Sequence, residues 1–247
     1  MAGLAAVFFG ALVYALFLGT FLYAIGFVGN LVVPRTIDGP QQVGTLHALG
    51  VNLALLSVFA VQHSVMARQG FKRWWTKRVA PAVERSTYVL FATLALGGLC
   101  WHWQPIEGTV WKLEQPAVLW ALQLVFWAGW GILLAATFLI NHFELFGLRQ
   151  VWARLTGRPV PEPVFRTPGL YKHVRHPIYL GFVLAFWATP HMTWGHLLFA
   201  GAATGYILVG IWFEERDLVA HFGERYREYR RRVPMLFPRL SDRSGPR

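Results

Sequence analysis

The densest group of ionisable residues in this chain stands directly before an apolar segment. The stretch Gly169–Gly181 contains two histidines, two tyrosines, a lysine and an arginine, and it continues into the apolar residues 182–189. A second apolar segment, 200–213, ends abruptly in Glu214-Glu215-Arg216-Asp217. Ionisable side chains at the end of a membrane segment are costly to desolvate, so they need a partner or a function. Two such ends joined by a short connection predict one polar site.

The residue types at these two ends indicate what the site could bind. Pro177 suits the first position of a helix, which would leave the amides of Ile178, Tyr179 and Leu180 unpaired at a helix N-terminus. Such an N-terminus binds carboxylates and phosphates. The pair Glu214-Glu215 can accept hydrogen bonds from an ammonium group or from ribose hydroxyls. Together these groups would suit a zwitterionic, polyhydroxylated ligand. In the alternative interpretation the cations only reach lipid headgroups, which leaves the facing carboxylates unexplained.

The composition is that of a polytopic membrane protein. Hydrophobic residues make up 55% of the chain and charged residues 14%, against roughly 25% charged residues in an ordinary soluble domain. The single Cys100 excludes an internal disulfide framework. No cluster of Cys and His has the spacing of zinc ligands, so we expect no metal site.

The apolar segments set the expected architecture. A helix needs roughly 20 residues to cross about 30 Å of hydrocarbon. Four segments meet this length, and two further segments form a hairpin whose first arm has only about a dozen residues. The six segments are 5–33, 45–66, 87–103, 117–140, 178–189 and 195–213. We expect an all-α integral membrane protein with five to six transmembrane helices, a C-terminal helical hairpin and a cytoplasmic amphipathic tail helix.

Basic residues predict the orientation in the membrane. All 23 lysines and arginines except Arg35 and Lys112 lie in residues 68–85, in residues 149–175 or after Glu214. These connections share one side of the membrane, which the positive-inside rule places in the cytoplasm. We therefore expect both termini and the polar site to be cytoplasmic. Topology then accounts for the net charge of +11, and nucleic-acid binding is not expected.

The chain divides into three expected regions. Residues 1–148 would form a four-helix membrane region. Residues 149–240 comprise a cytoplasmic loop, the hairpin and the tail, which would form the polar site. Residues 241–247 are expected to be a disordered tail.

Three motifs in the last 75 or so residues resemble the isoprenylcysteine carboxyl methyltransferase superfamily, which also includes phospholipid N-methyltransferases. They are Arg175-His176-Pro177-x-Tyr179-Leu180-Gly181, Glu214-Glu215 and Phe222-Gly223-x-x-Tyr226-x-x-Tyr229-x-x-x-Val233-Pro234. In that superfamily the C-terminal half binds S-adenosyl-L-methionine at the cytoplasmic face. The resemblance implies this methyl donor here, with contacts at Tyr171, His173, His176, Tyr179, Leu180, Gly181, Glu214 and Glu215. It also implies that Arg175 and Arg232 match arginines important for activity.

Motifs in the first 150 residues resemble the bacterial methanethiol S-methyltransferase family, and NnrU-type membrane proteins share parts of them. The motifs are residues 19–34, Gln62–Arg68, Glu84-Arg85-Ser86-x-Tyr88 and Asn141–Gln150. Members of that family transfer a methyl group from S-adenosyl-L-methionine to methanethiol, which gives dimethyl sulfide. The resemblance implies a small thiol as acceptor and a location in the bacterial inner membrane. It also implies that residues 1–148 form the acceptor side and residues 149–240 the donor site.

Methyl transfer to a thiol sets two chemical requirements. The in-line substitution needs positioning, and the thiol must lose its proton, which an unperturbed thiol does near pH 8.5 or above. A nearby base or cation would help. The candidates at the thiol end are His63, His142 and Glu144. For each, the alternative is a hydrogen bond at a helix end, and Glu144 could instead pair with Arg149.

Two other functions remain open at this stage. The acceptor could be of lipid type, either a prenylcysteine carboxylate, a phospholipid amine or an isoprenoid. The protein could also be a non-enzymatic, NnrU-like accessory membrane protein. The expected partners are a small thiol and membrane lipids, and the sequence leaves the oligomeric state open.

Overall fold

The computed structural model describes residues 1–160 and 164–238, and the fold is that of an all-α membrane protein with one short two-stranded ribbon. The disordered tail expected at 241–247 lies outside the described residues. The elements in chain order are α1 (Ala2–Gly29), α2 (Thr45–Ala67), α3 (Gln69–Trp75), α4 (Pro81–His102), β1 (Thr109–Lys112), α5 (Pro116–Ile140), α6 (His142–Leu145), α7 (Leu148–Thr156), a 3₁₀ turn (Gly169–Lys172), α8 (Pro177–Trp187), β2 (His191–Thr193), α9 (Trp194–Phe222) and α10 (Glu224–Arg232).

Four helices of the described chain, α1, α2, α5 and α9, are long and apolar enough to cross a membrane. Helix α4 has 22 residues and packs against α1 and α2, but it carries Glu84 and Arg85 near its start. Helix α8 has 11 residues, and at 1.5 Å per residue it is about 16 Å long. This is about half of the hydrocarbon thickness, so the expected short first arm of the hairpin is confirmed.

Helix α1 ends four residues earlier than the hydropathy of 5–33 predicts. Asn30 adopts the left-handed conformation (φ 52°), and its amide donates to the Gly26 carbonyl. The chain then folds back, which brings Val33 against Gly26 and buries Ile37 beneath the end of the helix. Apolarity alone does not reveal this end, because the folded-back residues are themselves apolar.

A polar network and the ribbon hold the far end of the bundle, opposite to the end that carries Glu214. Strands β1 and β2 pair antiparallel, and each is too short to give a sequence signal. Burial alone would raise the pKa of Asp38, but hydrogen bonds from His196, Thr193 and Asn30 lower it. Thr193 is the N-cap of α9, so this network fixes where α9 begins.

Helices α5 and α8 pack with their backbones in direct contact. A Cβ atom at Gly181 would lie 2.5 Å from the Gly129 carbonyl oxygen and 2.9 Å from the Leu133 amide nitrogen. A Cβ atom at Gly129 would lie 2.7 Å from the Gly181 carbonyl oxygen. Small residues permit such close approach, which is a common way for membrane helices to associate. The short helix α8 is therefore in direct backbone contact with α5 at Gly129 and Gly181.

We expect Gly181→Ala to destabilise the protein, because the new methyl group would push the α5 and α8 backbones apart. Overpacking of this kind costs about 1–3 kcal/mol, which thermal unfolding in detergent micelles would register as a lower midpoint. Gly205→Ala is the matched control, since a Cβ atom there meets no atom within 4 Å. Equal midpoints for the two variants would contradict the backbone contact.

Candidate functional site

The polar site forms because α9 is longer than a membrane is thick. Its 29 residues extend about 43 Å, against about 30 Å of hydrocarbon. Glu214 and Glu215 lie about two turns before the end of α9, beside the start of α8. At Gly223 (φ 58°, ψ −131°) α9 has ended and the chain turns into the tail helix α10.

Glu215 is the centre of a charged cluster. Its Oε1 atom accepts from Arg175 Nε at 2.6 Å and lies 3.1 Å from His176 Nε2. Its Oε2 atom lies 3.3 Å from Arg230 Nε. Only 10% of the Glu215 side chain is exposed. A buried carboxylate is stable only with such partners, so both of its oxygens are occupied by groups of the protein.

Arg175 joins this cluster to the tail. Its backbone amide donates to the Pro234 carbonyl at 2.9 Å, and the next amide, that of His176, donates to Met235 at 3.1 Å. The Nη1 atom of Arg175 donates to the Val233 carbonyl at 2.5 Å. Arg175 therefore holds the segment after α10 against the start of α8.

Glu214 differs from its neighbour in having a free oxygen. Its Oε2 atom accepts from the Tyr179 hydroxyl at 3.0 Å and lies 3.8 Å from His176 Nδ1. Within the described residues, Oε1 has no hydrogen-bond partner, and 44% of the side chain is exposed. In Glu214, therefore, one carboxylate oxygen is bound by the protein and the other is free to accept a hydrogen bond from a ligand.

Aromatic residues of the tail close the cluster on one side. The Tyr229 hydroxyl donates to the Tyr171 carbonyl at 2.5 Å, which ties α10 to the 3₁₀ turn. Burial raises the pKa of Tyr229 to about 12, so this hydroxyl keeps its proton at neutral pH. Phe165 packs edge-on against Tyr226 and Tyr229.

The start of α8 departs in one respect from the sequence-based expectation. Pro177 takes the first helical position as predicted. The amide of Leu180, expected to be free, donates to the His176 carbonyl at 3.0 Å, so that expectation was wrong. The amides of Ile178 and Tyr179 have no backbone partner among the described residues. The Leu180 side chain packs in a buried apolar cluster with Val174, Ile207, Ile211 and Leu236.

The cluster brings together five of the residues singled out from the sequence: Arg175, His176, Tyr179, Glu214 and Glu215. Tyr171 is buried beside them. Three others lie elsewhere. Gly181 is at the contact with α5, His173 is exposed at the end of the 3₁₀ turn, and Arg232 is exposed and contacts Glu228.

Arg230 is the cluster residue that sequence reasoning missed. It stands in a run of three arginines, 230–232, whose composition does not distinguish them. Tyr226 and Tyr229 are the buried residues of α10. Arg230 lies four residues after Tyr226, and Arg232 lies three residues after Tyr229, so helical spacing does not distinguish the two arginines. No signal in the sequence identifies Arg230.

His142 lies between α1 and α5 with both ring nitrogens engaged. Thr137 Oγ1 donates to the Leu134 carbonyl, so it accepts from His142 Nδ1 at 2.8 Å. His142 Nε2 then accepts from the Tyr14 hydroxyl at 2.7 Å. Burial lowers the pKa of His142, in agreement with this neutral form. The ring also stacks on Phe138.

Glu144 is held through one of its two oxygens. Its Oε2 atom accepts from Arg149 Nη1 at 2.8 Å and from Asn141 Nδ2 at 2.5 Å. These bonds close the turn between α5 and α7. The pairing with Arg149 that the spacing allowed is therefore confirmed.

His63 has a different environment, in the interior between α2, α4 and α9. Its ring stacks on Phe59 and faces the edge of Tyr206, and its Nε2 atom lies 2.9 Å from the Tyr88 hydroxyl. The Tyr88 hydroxyl is its one hydrogen-bond partner among the described residues. The same hydroxyl lies 3.2 Å from Nδ1. A single hydroxyl cannot align well with two nitrogens of one ring, so one nitrogen of His63 remains available.

Among the described residues no hydrogen bond joins the charged cluster to the cluster around His63. Tyr179 donates to Glu214, whereas the Tyr206 hydroxyl bonds to Ser64 and the Tyr88 hydroxyl to His63. The described residues contain no group of three or more His, Cys, Asp or Glu side chains that could hold a metal ion.

Comparisons with known proteins identify relatives of this chain. The NnrU protein family matches residues 52–236. The chain is 59% identical to a methanethiol S-methyltransferase of Mycobacterium tuberculosis over 94% of its own length and 95% of that protein. It is 56% identical to methanethiol S-methyltransferase 1 of Bradyrhizobium diazoefficiens, over 93% of this chain and 81% of that protein.

A more distant relative is nurim of Rattus norvegicus, 30% identical over 72% of this chain and 71% of that protein. No solved structure matches the chain. The NnrU match covers both the interior cluster around His63 and the charged cluster around Glu215. On these matches the chain belongs to the NnrU family, together with proteins named methanethiol S-methyltransferase.

Proposed function

We propose that this protein transfers a methyl group from S-adenosyl-L-methionine to methanethiol and so forms dimethyl sulfide. The observation that carries the proposal is the open carboxylate of Glu214 beside the N-terminus of α8. The proposal is further supported by the names of relatives that share more than half of the residues of this chain.

The residues around Glu214 fit the chemical groups of this donor. The free Oε1 atom of Glu214 would accept from an ammonium group or from ribose hydroxyls. The amides of Ile178 and Tyr179, at the positive end of the α8 dipole, would hold a carboxylate. Glu215 has both oxygens engaged, so we assign it the role of positioning His176 and Arg175.

When bound, the donor supplies an electrophilic methyl group on a sulfonium. The transfer forms one sulfur–carbon bond as another breaks, so the protein contributes chiefly orientation and exclusion of water. The thiol must also lose its proton. We assign His63 as the acceptor of that proton, because it has a ring nitrogen available, whereas both nitrogens of His142 are engaged and Glu144 is held as a carboxylate by its ion pair with Arg149.

The location of His63 supports a small acceptor. The side chains around it, Phe59, Tyr88 and Tyr206, are aromatic and belong to three different helices. In this proposal residues 1–148 supply most of the acceptor side and residues 149–240 the donor side. The distribution of basic residues supports a cytoplasmic donor site in the bacterial inner membrane.

The direct test is an assay of the purified protein with S-adenosyl-L-methionine and methanethiol. We expect dimethyl sulfide in the headspace and S-adenosylhomocysteine in solution in equal amounts. A prenylcysteine analogue and phosphatidylethanolamine serve as competing acceptors. Methylation of either lipid without dimethyl sulfide would refute the thiol acceptor, and failure to bind the donor would refute the entire proposal.

The two glutamates should respond differently to removal of their charge. Glu214→Gln should weaken donor binding about 10-fold or more, because a hydrogen bond to a charged group is worth about 1.5–3 kcal/mol. It should leave the unfolding midpoint nearly unchanged. Glu215→Gln should destabilise the fold by about 3–5 kcal/mol, since it leaves buried cations without their partner. Calorimetric donor binding and thermal unfolding of both variants check this division, which the reverse pattern would contradict.

The two histidines provide the corresponding test at the thiol end. His63→Gln should lower kcat about 100-fold or more, the usual contribution of a general base, without weakening donor binding. The deficit should shrink as the pH rises, because more thiol is then already ionised. His142→Gln should mainly lower the unfolding midpoint. A His63→Gln variant with a normal pH–rate profile would exclude His63 as the base.

A further inference from the structure

An open cleft with a volume of about 880 Å³ lies between the C-terminal half of α5 and the 3₁₀ turn. Its wall on α5 is apolar and includes Ile132, Phe138 and Leu139. Lys172 and His173 line it on the side of the turn. None of these residues lies in the charged cluster around Glu215 or in the cluster around His63. The family resemblance assigned His173 to the donor site, but the structure places it at this cleft.

Two glycines give the cleft its shape. A Cβ atom at Gly131 would meet no atom within 4 Å, so the missing side chain leaves open space along α5. At the other end Gly169 (φ 50°) brings the turn close to Leu139, whose Cδ1 atom would lie 3.0 Å from an added Cβ. The nine residues from Gly131 to Leu139 extend about 12 Å along the helix. The cleft therefore runs from the membrane surface into the hydrocarbon region.

The charge of the cleft is confined to its outer end. Lys172 and His173 are both exposed, and neither forms an ion pair with any described residue. The remaining lining residues are glycine or apolar. A cationic end followed by an apolar channel complements a molecule with an anionic head and a hydrocarbon tail.

We propose that this cleft binds an anionic phospholipid of the surrounding bilayer. One acyl chain would lie along α5 past Gly131, and the phosphate would contact Lys172 and His173. A basic residue close to the membrane surface increases the affinity for anionic lipid about fivefold. A free anion such as phosphate would leave the apolar wall uncovered, so the lipid is the better match.

The lipid would also support the turn that borders the charged cluster. Tyr171 precedes Lys172, accepts from Tyr229 through its carbonyl, and donates to the Ala136 carbonyl of α5 at 3.5 Å. A headgroup held by Lys172 and His173 would therefore stabilise the same turn from the membrane side. This inference does not depend on the proposed methyl transfer.

The test uses the full chain in mixed micelles, with retained phospholipid counted by native mass spectrometry. We expect the wild-type protein to retain phosphatidylglycerol about fivefold or more in preference to phosphatidylcholine. The double variant Lys172→Gln/His173→Gln should lose this preference. Lys77→Gln/His221→Gln is the matched control, because it removes one exposed lysine and one exposed histidine outside the cleft.

Filling the channel provides a second, independent measurement. Gly131→Leu should reduce the retention of both lipids, whereas Gly205→Leu, also directed into open space, should not. Absence of retained lipid in the wild-type protein would overturn the proposal. It would also be overturned by an unchanged preference in Lys172→Gln/His173→Gln or by full retention in Gly131→Leu. Donor binding, measured separately on the same variants, keeps this result distinct from that of the proposed function.

Discussion

The burial of the Glu215 carboxylate is the constraint on which the rest of the site depends. A charge with 10% of its side chain exposed must be surrounded by partners, and these come from two other segments, Arg175 and His176 before α8 and Arg230 in α10. The start of α8, the end of α9 and the tail are thereby fixed together. With Glu215 occupied, Glu214 is left as the carboxylate that can meet a ligand.

Helix lengths place this cluster at the membrane surface. Helix α9 is longer than the hydrocarbon layer and α8 is about half as long as that layer. The N-terminus of α8 can lie beside Glu214 only if α8 is held firmly by another helix. The backbone contact at Gly129 and Gly181 provides that support. Gly181, which the family resemblance assigned to the donor, thus has a clear structural role.

The sequence predicted much of the fold because hydropathy and helix caps are local properties. The membrane helices, the short arm of the hairpin and Pro177 at the first position of α8 all followed from composition and spacing. The end of α1 at Gly29 and the break at Gly223 did not. In each case the turning residue, Asn30 or Gly223, is of a type that tolerates a positive φ and often ends helices. Hydropathy does not show these two ends, because it does not respond to backbone conformation.

The sequence by itself determined the class of protein, its membrane segments and the two ends that form the polar site. Long apolar runs have few alternatives in a bilayer, and ionisable residues beside them must find partners. Only the tertiary structure decided which of two adjacent glutamates is open and which histidine keeps a free nitrogen. For example, the Nε2 atom of His142 accepts a hydrogen bond from the hydroxyl of Tyr14, which lies 128 residues earlier in the chain. Such pairings depend on how helices rotate against one another, which local sequence does not record.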